Sequence, residues 1–283
     1  MKLLRAIGFD VGGKIFVSFF DNKAIANESL DFGDVLSWEF DTSKKYCVGW
    51  HEIQSGEIFP CPDNSIGETE CAKCRARTGF NPAFYNTSNI SEVQSKRNLE
   101  PHILYLAYFG GEIVKVGIAH HRRKLARLLE QGALQAIVLD ELPSANVARQ
   151  YEEKIAHLDS YTESVQSATK RKLLLNPKSV TKAFDRLNNS QAQINSELQT
   201  NFVGKPIDLL PYYSNDTVPR NFLYLNATHP ILSGKLVGLV GKHLLLESDH
   251  RIVCVSVDNY VGRNFEPTNQ STMGLPAEQL SLL

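Results

Sequence analysis

The chain has 283 residues, a formal net charge of −1 at pH 7 and a hydrophobic content of 42%. This content is ordinary for a folded protein and excludes a disordered chain, while the length leaves room for two domains or three small ones. A near-neutral chain has no general attraction for polyphosphates, so any nucleic-acid site must come from a local basic patch.

The sequence predicts a cytoplasmic protein without a membrane partner. No segment is long and apolar enough for a transmembrane helix, and polar residues and glycines interrupt the first 20 residues before a signal-like apolar core develops. The chain has five cysteines, an odd number, and four of them are clustered. This usage argues against a secreted disulfide framework and for a metal site in a reducing compartment.

The first 40 residues are predicted to form antiparallel β-structure. Apolar residues recur up to Phe9, and a second apolar run covers residues 15–20. Glycines at positions 12 and 13 lie between the two runs, a pattern typical of a turn that joins two strands. We therefore expect a β-rich N-terminal segment.

Four cysteines follow with the spacing C-x13-C-x9-C-x2-C, namely Cys47, Cys61, Cys71 and Cys74. The residues between them are rich in Pro, Gly, Asn and Asp, which predicts a loop-rich knot at residues 47–74. Four thiolates can complete a closed tetrahedral zinc site, and closed coordination is structural rather than catalytic. The alternative is four unrelated buried thiols, and His51 is an alternative ligand. Cys254, in a predicted strand, is expected to be a buried thiol outside the site.

Residues 102–133 are predicted to form a β-hairpin followed by a basic helix. Two apolar runs, 103–109 and 113–118, flank Gly110-Gly111, which provides the positive-φ pair of a two-residue turn. Leucines at positions 125, 128 and 129 recur at helical spacing, and Gly132 ends the helix. The basic residues in and before this helix form the best candidate for a local basic patch: Arg122, Arg123, Lys124 and Arg127.

A short strand at residues 136–139 follows. Pro143-Ser144 then provides a turn and the N-cap of a helix that runs to about His157, which completes a β-β-α-β-α order. On a helical wheel Glu152 borders the apolar face, whereas Glu153 points nearly opposite. This geometry favours Glu152 as the carboxylate that lines a cleft. A solvated helix carboxylate is the alternative.

The last part of the chain, from residue 202, has short apolar runs separated by glycine and polar turn residues, which predicts a small β-barrel or sheet. The glycines of GKLVGLVGK, residues 234–242, are expected at bulges or close strand crossings. The predicted fold class is therefore α+β with three domains. These are a β segment with a zinc-binding knot at 1–100, the β-β-α-β-α core at 101–200 and a C-terminal β domain at 201–283.

The core resembles the GIY-YIG superfamily, whose site combines a first-strand Tyr, a second-strand Tyr-Ile-Gly, a helical Arg and a later helical Glu. Tyr105 stands at the first position, Lys115-Val116-Gly117 at the second, Arg127 at the third and Glu152 at the fourth. Lys115 thus replaces the second Tyr. The spacing from Gly117 to Arg127 is about two residues longer than the usual pattern.

A longer resemblance is to an uncharacterised bacterial family, known only as a domain of unknown function, that joins a GIY-YIG-like core to a cysteine-rich segment. It covers most of the chain and includes CVGWHE, CAKC, PHILYLAYF, KVGIA, RKLARLLEQGA and GKLVGLVGKHLLL. This resemblance implies the same division into a cysteine-rich part and a core. It implies no activity.

The GIY-YIG resemblance implies a metal-dependent, phosphodiester-cleaving nuclease. In such an enzyme Glu152 would hold Mg²⁺ or Mn²⁺, Arg127 would stabilise developing charge, and Tyr105 would lie near the attacking water. Lys115 would serve either as a neutral base or as a cation that binds phosphate. Nucleic acid is the predicted partner, with Arg122, Arg123 and Lys124 as further phosphate contacts.

A second hypothesis is a catalytically inactive, zinc-stabilised module that binds nucleic acid or another protein. In that case the core keeps its basic cleft and the zinc knot adds a docking surface. The alternative to any site is purely structural: Tyr105 is a strand core residue, Lys115 faces solvent and Arg127 is an exposed helix charge. The two hypotheses differ in whether Tyr105, Lys115, Arg127 and Glu152 converge on one site.

Overall fold

The computed structural model describes residues 1–81, 89–112, 114–175, 181–215 and 221–275. Their strands are β1 (Lys2–Phe9), β2 (Ile15–Asp21), β3 (Ala24–Leu30), β4 (Val35–Phe40), β5 (Trp50–His51), β6 (Ile58–Phe59), β7 (His102–Tyr108), β8 (Val114–His120), β9 (Gln135–Leu142), β10 (Tyr161–Thr162), β11 (Pro206–Asp208), β12 (Leu223–Leu225), β13 (Ile231–Val240), β14 (His243–Ser248), β15 (Arg251–Ser256) and β16 (Asn264–Pro267). Their helices are α1 (Ala72–Thr78), α2 (Glu92–Asn98), α3 (Lys124–Gln131), α4 (Ala145–Ala156), α5 (Ser167–Leu175) and α6 (Thr181–Leu198). The chain is a mixed α+β protein rich in sheet, as predicted.

The chain divides into two compact units. The first, called the sheet unit, takes in residues 1–10, 14–80 and 214–283, and the second, called the hairpin unit, takes in residues 11–13 and 81–213. This division differs from the three predicted domains because the two ends of the chain belong to one unit.

The sheet unit contains a nine-stranded sheet in the order β12-β15-β14-β13-β4-β16-β1-β2-β3. All neighbouring strands are antiparallel except β12 and β15. Strand β16 pairs with both β1 and β4, and β13 pairs with β4. The predicted N-terminal segment and the predicted C-terminal β domain therefore share one sheet. Pairing between strands so far apart in the sequence leaves no trace in their local patterns.

The C-terminal strands extend this sheet, and the described residues contain no closed barrel. Aromatic rings from both ends of the chain pack together: Phe40 lies 4.8 Å from Tyr260 and 5.4 Å from Phe265 between ring centroids. The glycine-rich strand β13 contains the predicted irregularity, since its register with β14 shifts between Leu236 and Gly238. A Cβ at Gly234 would lie 2.5 Å from the carbonyl oxygen of Glu247, so a close strand approach requires this glycine.

The hairpin unit is built on a five-stranded sheet in the order β10-β8-β7-β9-β11. Strands β7 and β8 form the predicted hairpin, and Gly110 and Gly111 both have positive φ in the turn that joins them. The elements β7, β8, α3, β9 and α4 follow one another in the predicted β-β-α-β-α order. Strand β11 also joins this sheet, against β9, although it lies beyond the predicted boundary at residue 200.

The helices α4 and α6 pack on this five-stranded sheet and complete its core. Ser144 caps α4 as predicted, because its side chain accepts a hydrogen bond from the Val147 N–H at 3.3 Å. Residues 188–201 are rich in Asn, Gln and Ser with spaced apolar residues, a pattern that predicts a surface helix or linker. In the structure most of this segment belongs to α6, which buries Ala183, Leu187 and Ile194 in the core. It is therefore an amphipathic helix that packs on the sheet and not a linker.

None of the described helices is both long enough and apolar enough to span a membrane.

Candidate functional site

The four predicted cysteines come together in the sheet unit. The Sγ atoms of Cys47, Cys61, Cys71 and Cys74 all lie within 4.8 Å of one another, and those of Cys61 and Cys71 are 3.9 Å apart. Sulfurs bound tetrahedrally to zinc at about 2.3 Å are separated by about 3.8 Å. The cluster therefore has the dimensions of a four-sulfur metal site.

The backbone around the cluster is arranged to present the sulfurs. The Cys71 N–H donates to Cys47 Sγ at 3.3 Å, and a backbone hydrogen bond from Cys74 lowers the pKa of Cys71 to about 6. Burial raises the pKa of Cys74. Gly49 has a φ of 78°, and a Cβ there would lie 1.9 Å from the Phe59 carbonyl oxygen, so the chain can turn toward the cluster only with glycine at this position.

Two other residues considered for this site lie outside the cluster. Cys254 is fully buried in β15, as predicted, and is not among the four clustered cysteines. His51, the alternative ligand, is exposed and does not belong to the group either.

Tyr105, the predicted catalytic tyrosine, packs against Gly117, the glycine of the second-strand motif. Tyr105 pairs with Gly117 across the hairpin, and a Cβ at position 117 would lie 2.5 Å from the Tyr105 hydroxyl oxygen. Only glycine leaves room for this ring. Tyr105 is fully buried, and burial raises the pKa of its phenol. Arg127 interacts with the same hydroxyl through its side chain.

Lys115 is buried, which contradicts the solvent-facing side chain of the structural alternative. Side chains alternate between the two faces of a strand, so residues 105 and 107 point to the same face. Lys115 pairs directly with Ala107 and therefore lies on the same face of the hairpin as Tyr105. Its Nζ donates to the carbonyl oxygens of Val116 at 3.2 Å and of Glu163. Burial lowers the pKa of Lys115, while the charge of Glu152 raises it.

Glu152 is buried and Glu153 is exposed, as the helical wheel indicates. Arg149, which no sequence motif indicated, donates to Glu152 Oε2 at 2.8 Å and lies 2.8 Å from Glu163 Oε1. Burial by itself would lower the pKa of Arg149, but these hydrogen bonds raise it, and burial raises the pKa of Glu152. The guanidinium of Arg149 therefore lies between the carboxylates of Glu152 and Glu163.

These contacts link the four predicted residues. The charges of Arg127 and Glu152 both act on the Tyr105 phenol, and the same two charges act on Lys115. The side chain of Arg127 is the most exposed of the four, at 37%, whereas the other three residues are buried. The group is therefore a largely buried cluster of charges that reaches the surface at Arg127.

The basic patch carries its own counter-charges. Arg122 lies 3.4 Å from Glu100, Arg123 donates to Glu130, and Lys124 pairs with Glu141. Arg127 also lies 3.8 Å from Glu130. Glu130 is an (i,i+3) neighbour of Arg127 in α3. The other two glutamates are distant in sequence, and the strand pairing of the hairpin unit brings Glu100 to Arg122 and Glu141 to Lys124.

A second group with metal-ligand chemistry was missed in the sequence. One ligand atom each from Glu100, His120 and His121 lies within 4.8 Å of the others. His120 Nε2 is 2.9 Å from Glu100 Oε2, and burial lowers the pKa of His120 to about 4, so its imidazole is neutral at pH 7. The only signal in the sequence is the adjacent pair of histidines, because Glu100 is 20 positions away.

Comparison with known proteins gives a family but no activity. No curated protein and no solved structure matches the chain significantly. The family model described as "Protein of unknown function (DUF2797)" matches residues 33–263, which include the cysteine cluster, both strands of the hairpin and the four predicted catalytic residues. The chain therefore belongs to the DUF2797 family.

Proposed function

We propose that the four-cysteine cluster binds one structural zinc ion. The support is the donor set, since four sulfurs with tetrahedral spacing and no open position are typical of closed zinc sites. The segment around them has only the two-residue strands β5 and β6 and the short helix α1. A metal would hold these loops in place. Cysteines that bind a metal instead of forming disulfides are typical of a reducing compartment, so we propose that the protein is cytoplasmic.

We further propose that the hairpin unit binds nucleic acid, with a GIY-YIG-like arrangement of Tyr105, Lys115, Arg127 and Glu152. The single observation that carries this proposal is the convergence of the four residues, each of which comes from a different element: β7, β8, α3 and α4. Two cations, Lys115 and Arg127, next to a buried phenol provide a site suited to a phosphate group. Arg127 is the natural first contact because it reaches the surface.

The ion pairs of the basic patch are compatible with this role. Exposed ion pairs contribute only about 0–1 kcal/mol each, so Arg122, Arg123 and Lys124 can exchange their glutamate partners for phosphates at little cost. Because the glutamates remain nearby, binding should be modest and sensitive to salt.

Replacing Arg127 with alanine is expected to weaken binding to nucleic acid of any sequence and to reduce the dependence of log Kd on log salt by about one unit. The reason is that one phosphate contact, and its counterion release, is lost. Fluorescence anisotropy with labelled single-stranded and duplex DNA and RNA over a salt series measures both effects.

The matched control for Arg127→Ala is Lys242→Ala. Lys242 is an exposed cation of the sheet unit that pairs with Asp258, and its loss should leave both affinity and salt dependence unchanged. Equal effects of the two variants, or no binding by the unaltered protein, would rule out the proposed interface. The remaining hypothesis would then be a zinc-stabilised module that binds another protein.

Phosphodiester cleavage is the second candidate function, favoured by Glu152 at the buried end of the cluster. A Mg²⁺ or Mn²⁺ ion bound there would polarise the phosphate. Arg149 already donates to Glu152, so such an ion must share this carboxylate with the guanidinium or displace it. Cleavage would therefore need higher metal concentrations than an open carboxylate site.

Replacing Glu152 with glutamine is expected to spare nucleic-acid binding and to lower any metal-dependent cleavage on the order of 100-fold or more, because a neutral amide holds the ion poorly. Gel assays with Mg²⁺ or Mn²⁺ and single-stranded, duplex and branched substrates measure cleavage. Glu153→Gln, which changes the exposed neighbouring carboxylate, should keep full activity. Cleavage that survives in Glu152→Gln would assign the metal to other residues.

A further inference from the structure

The second group of metal-ligating side chains lies at one end of the β7–β8 hairpin, away from the cysteines in sequence. Backbone pairing sets its geometry: His102 pairs with His120 across the hairpin, and the His121 N–H donates to the Pro101 carbonyl oxygen at 3.1 Å. These contacts hold Glu100 opposite His120 and His121. The group is therefore part of the sheet framework rather than a chance meeting of loose side chains.

We propose that Glu100, His120 and His121 bind a divalent transition-metal ion, with zinc as the first candidate. Two imidazoles and one carboxylate form a donor set that zinc and other first-row metals accept. Ligand atoms of a tetrahedral zinc site are about 3.4 Å apart. The observed separations of up to 4.8 Å can therefore close by small side-chain rotations.

The neighbouring residues resemble the outer partners of a metal site. Glu141 Oε1 lies 3.9 Å from His121 Nδ1, where it can orient the ring or fill a fourth position. The ring of His102 packs against that of His120 with centroids 5.2 Å apart, and His102 Nδ1 lies 2.9 Å from the Glu100 carbonyl oxygen. Outer partners of this kind orient metal ligands.

Metal binding requires three existing contacts to open. The ion would replace the proton between His120 Nε2 and Glu100 Oε2, and it would displace Arg122, whose exposed guanidinium lies 3.4 Å from the same carboxylate. A metal on Nε2 also leaves the ring proton on Nδ1, so the 3.3 Å hydrogen bond from the Arg122 N–H must break. This bond is long, and Arg122 can turn to solvent, so the local turn can adapt. The nearby cations Arg122 and Lys124 lower the affinity for a dication, which predicts an exchangeable site.

The test is a zinc titration of the full protein by isothermal calorimetry at pH 7, after dialysis against a weak chelator that leaves the cysteine site loaded. We expect one further zinc per chain with a micromolar Kd. His121→Ala should weaken this binding at least tenfold, and Glu100→Gln should do the same. The exposed His157, at the end of α4, is the matched control, and His157→Ala should leave the titration unchanged.

A spectroscopic readout separates this site from the cysteine cluster. Cobalt bound to thiolates gives an intense sulfur charge-transfer band, whereas cobalt bound to nitrogen and oxygen gives none. The second equivalent of cobalt should therefore add only weak visible bands, and His121→Ala should remove them. Because the His121 side chain is 31% exposed, this variant should fold normally, which circular dichroism checks. The proposal is overturned if no further equivalent binds, or if His121→Ala and His157→Ala behave alike.

Discussion

Replacement of Cys74 with serine is expected to remove close to one equivalent of zinc per chain and to disorder residues 47–78. Cys74 is fully buried among the other three cysteines, and serine offers a neutral hydroxyl in place of a thiolate. A structural zinc contributes on the order of 10–16 kcal/mol to folding in zinc-finger peptides, so few local contacts can compensate for its loss. Elemental analysis measures the zinc, and limited proteolysis detects the disordered segment.

The control for Cys74→Ser is Cys254→Ser. Cys254 is buried in β15 and lies outside the cluster, so this variant should retain its zinc. Zinc content that stays the same in Cys74→Ser, or that falls equally in both variants, would show that the four cysteines do not form the proposed site.

Arg149→Ala is expected to destabilise the hairpin unit by about 3 kcal/mol. Its guanidinium lies 2.8 Å from both Glu152 and Glu163, and the side chains of Arg149 and Glu152 are only 19% and 10% exposed. Removing one partner of a buried ion pair leaves an uncompensated charge and costs about 3–5 kcal/mol, whereas an exposed pair contributes about 0–1 kcal/mol. With these exposures the Arg149–Glu152 pair resembles a buried ion pair more than an exposed one. Urea denaturation measures the change in the free energy of unfolding.

Two further variants make the Arg149 prediction specific. Lys242→Ala breaks another ion pair of 2.8 Å, but both of its partners are more than half exposed, so it should cost less than about 1 kcal/mol. The double variant Arg149→Ala with Glu152→Gln should recover part of the lost stability, because no uncompensated charge remains buried at position 152. If Arg149→Ala costs no more than Lys242→Ala, the cluster is held together by packing rather than by this guanidinium.

Local patterns in the sequence predicted the elements of the hairpin unit well. Two apolar runs around Gly110-Gly111 indicated the hairpin, and the helical period distinguished the buried Glu152 from the exposed Glu153. Each of these properties depends on residues within a few positions of one another, so a side chain's neighbours in sequence are also its neighbours in space.

The partners of the charged residues were not predictable in this way. The sequence pattern predicted a site role for Lys115 but not its partners, because it is the pairing of β10 with β8 that brings the carbonyl oxygen of Glu163 to its amine. The role of Arg149 was equally hidden, because nothing near it in sequence shows that Glu163 will lie 2.8 Å away. Nothing near Glu100 in sequence shows that it will meet His120 and His121, the histidines of the second metal-ligating group.

Local periodicity, turn chemistry and residue type were enough to predict the hairpin, the capped helix α4 and the burial of Cys254, and the spacing of the four cysteines was enough to predict their cluster. Three features came from long-range packing: both ends of the chain share a nine-stranded sheet, β11 joins the second sheet, and Arg122 and Lys124 pair with glutamates that are distant in sequence. Strand partners and ion pairs depend on which distant segments meet when the chain buries its apolar surface, and a local pattern carries no record of that choice.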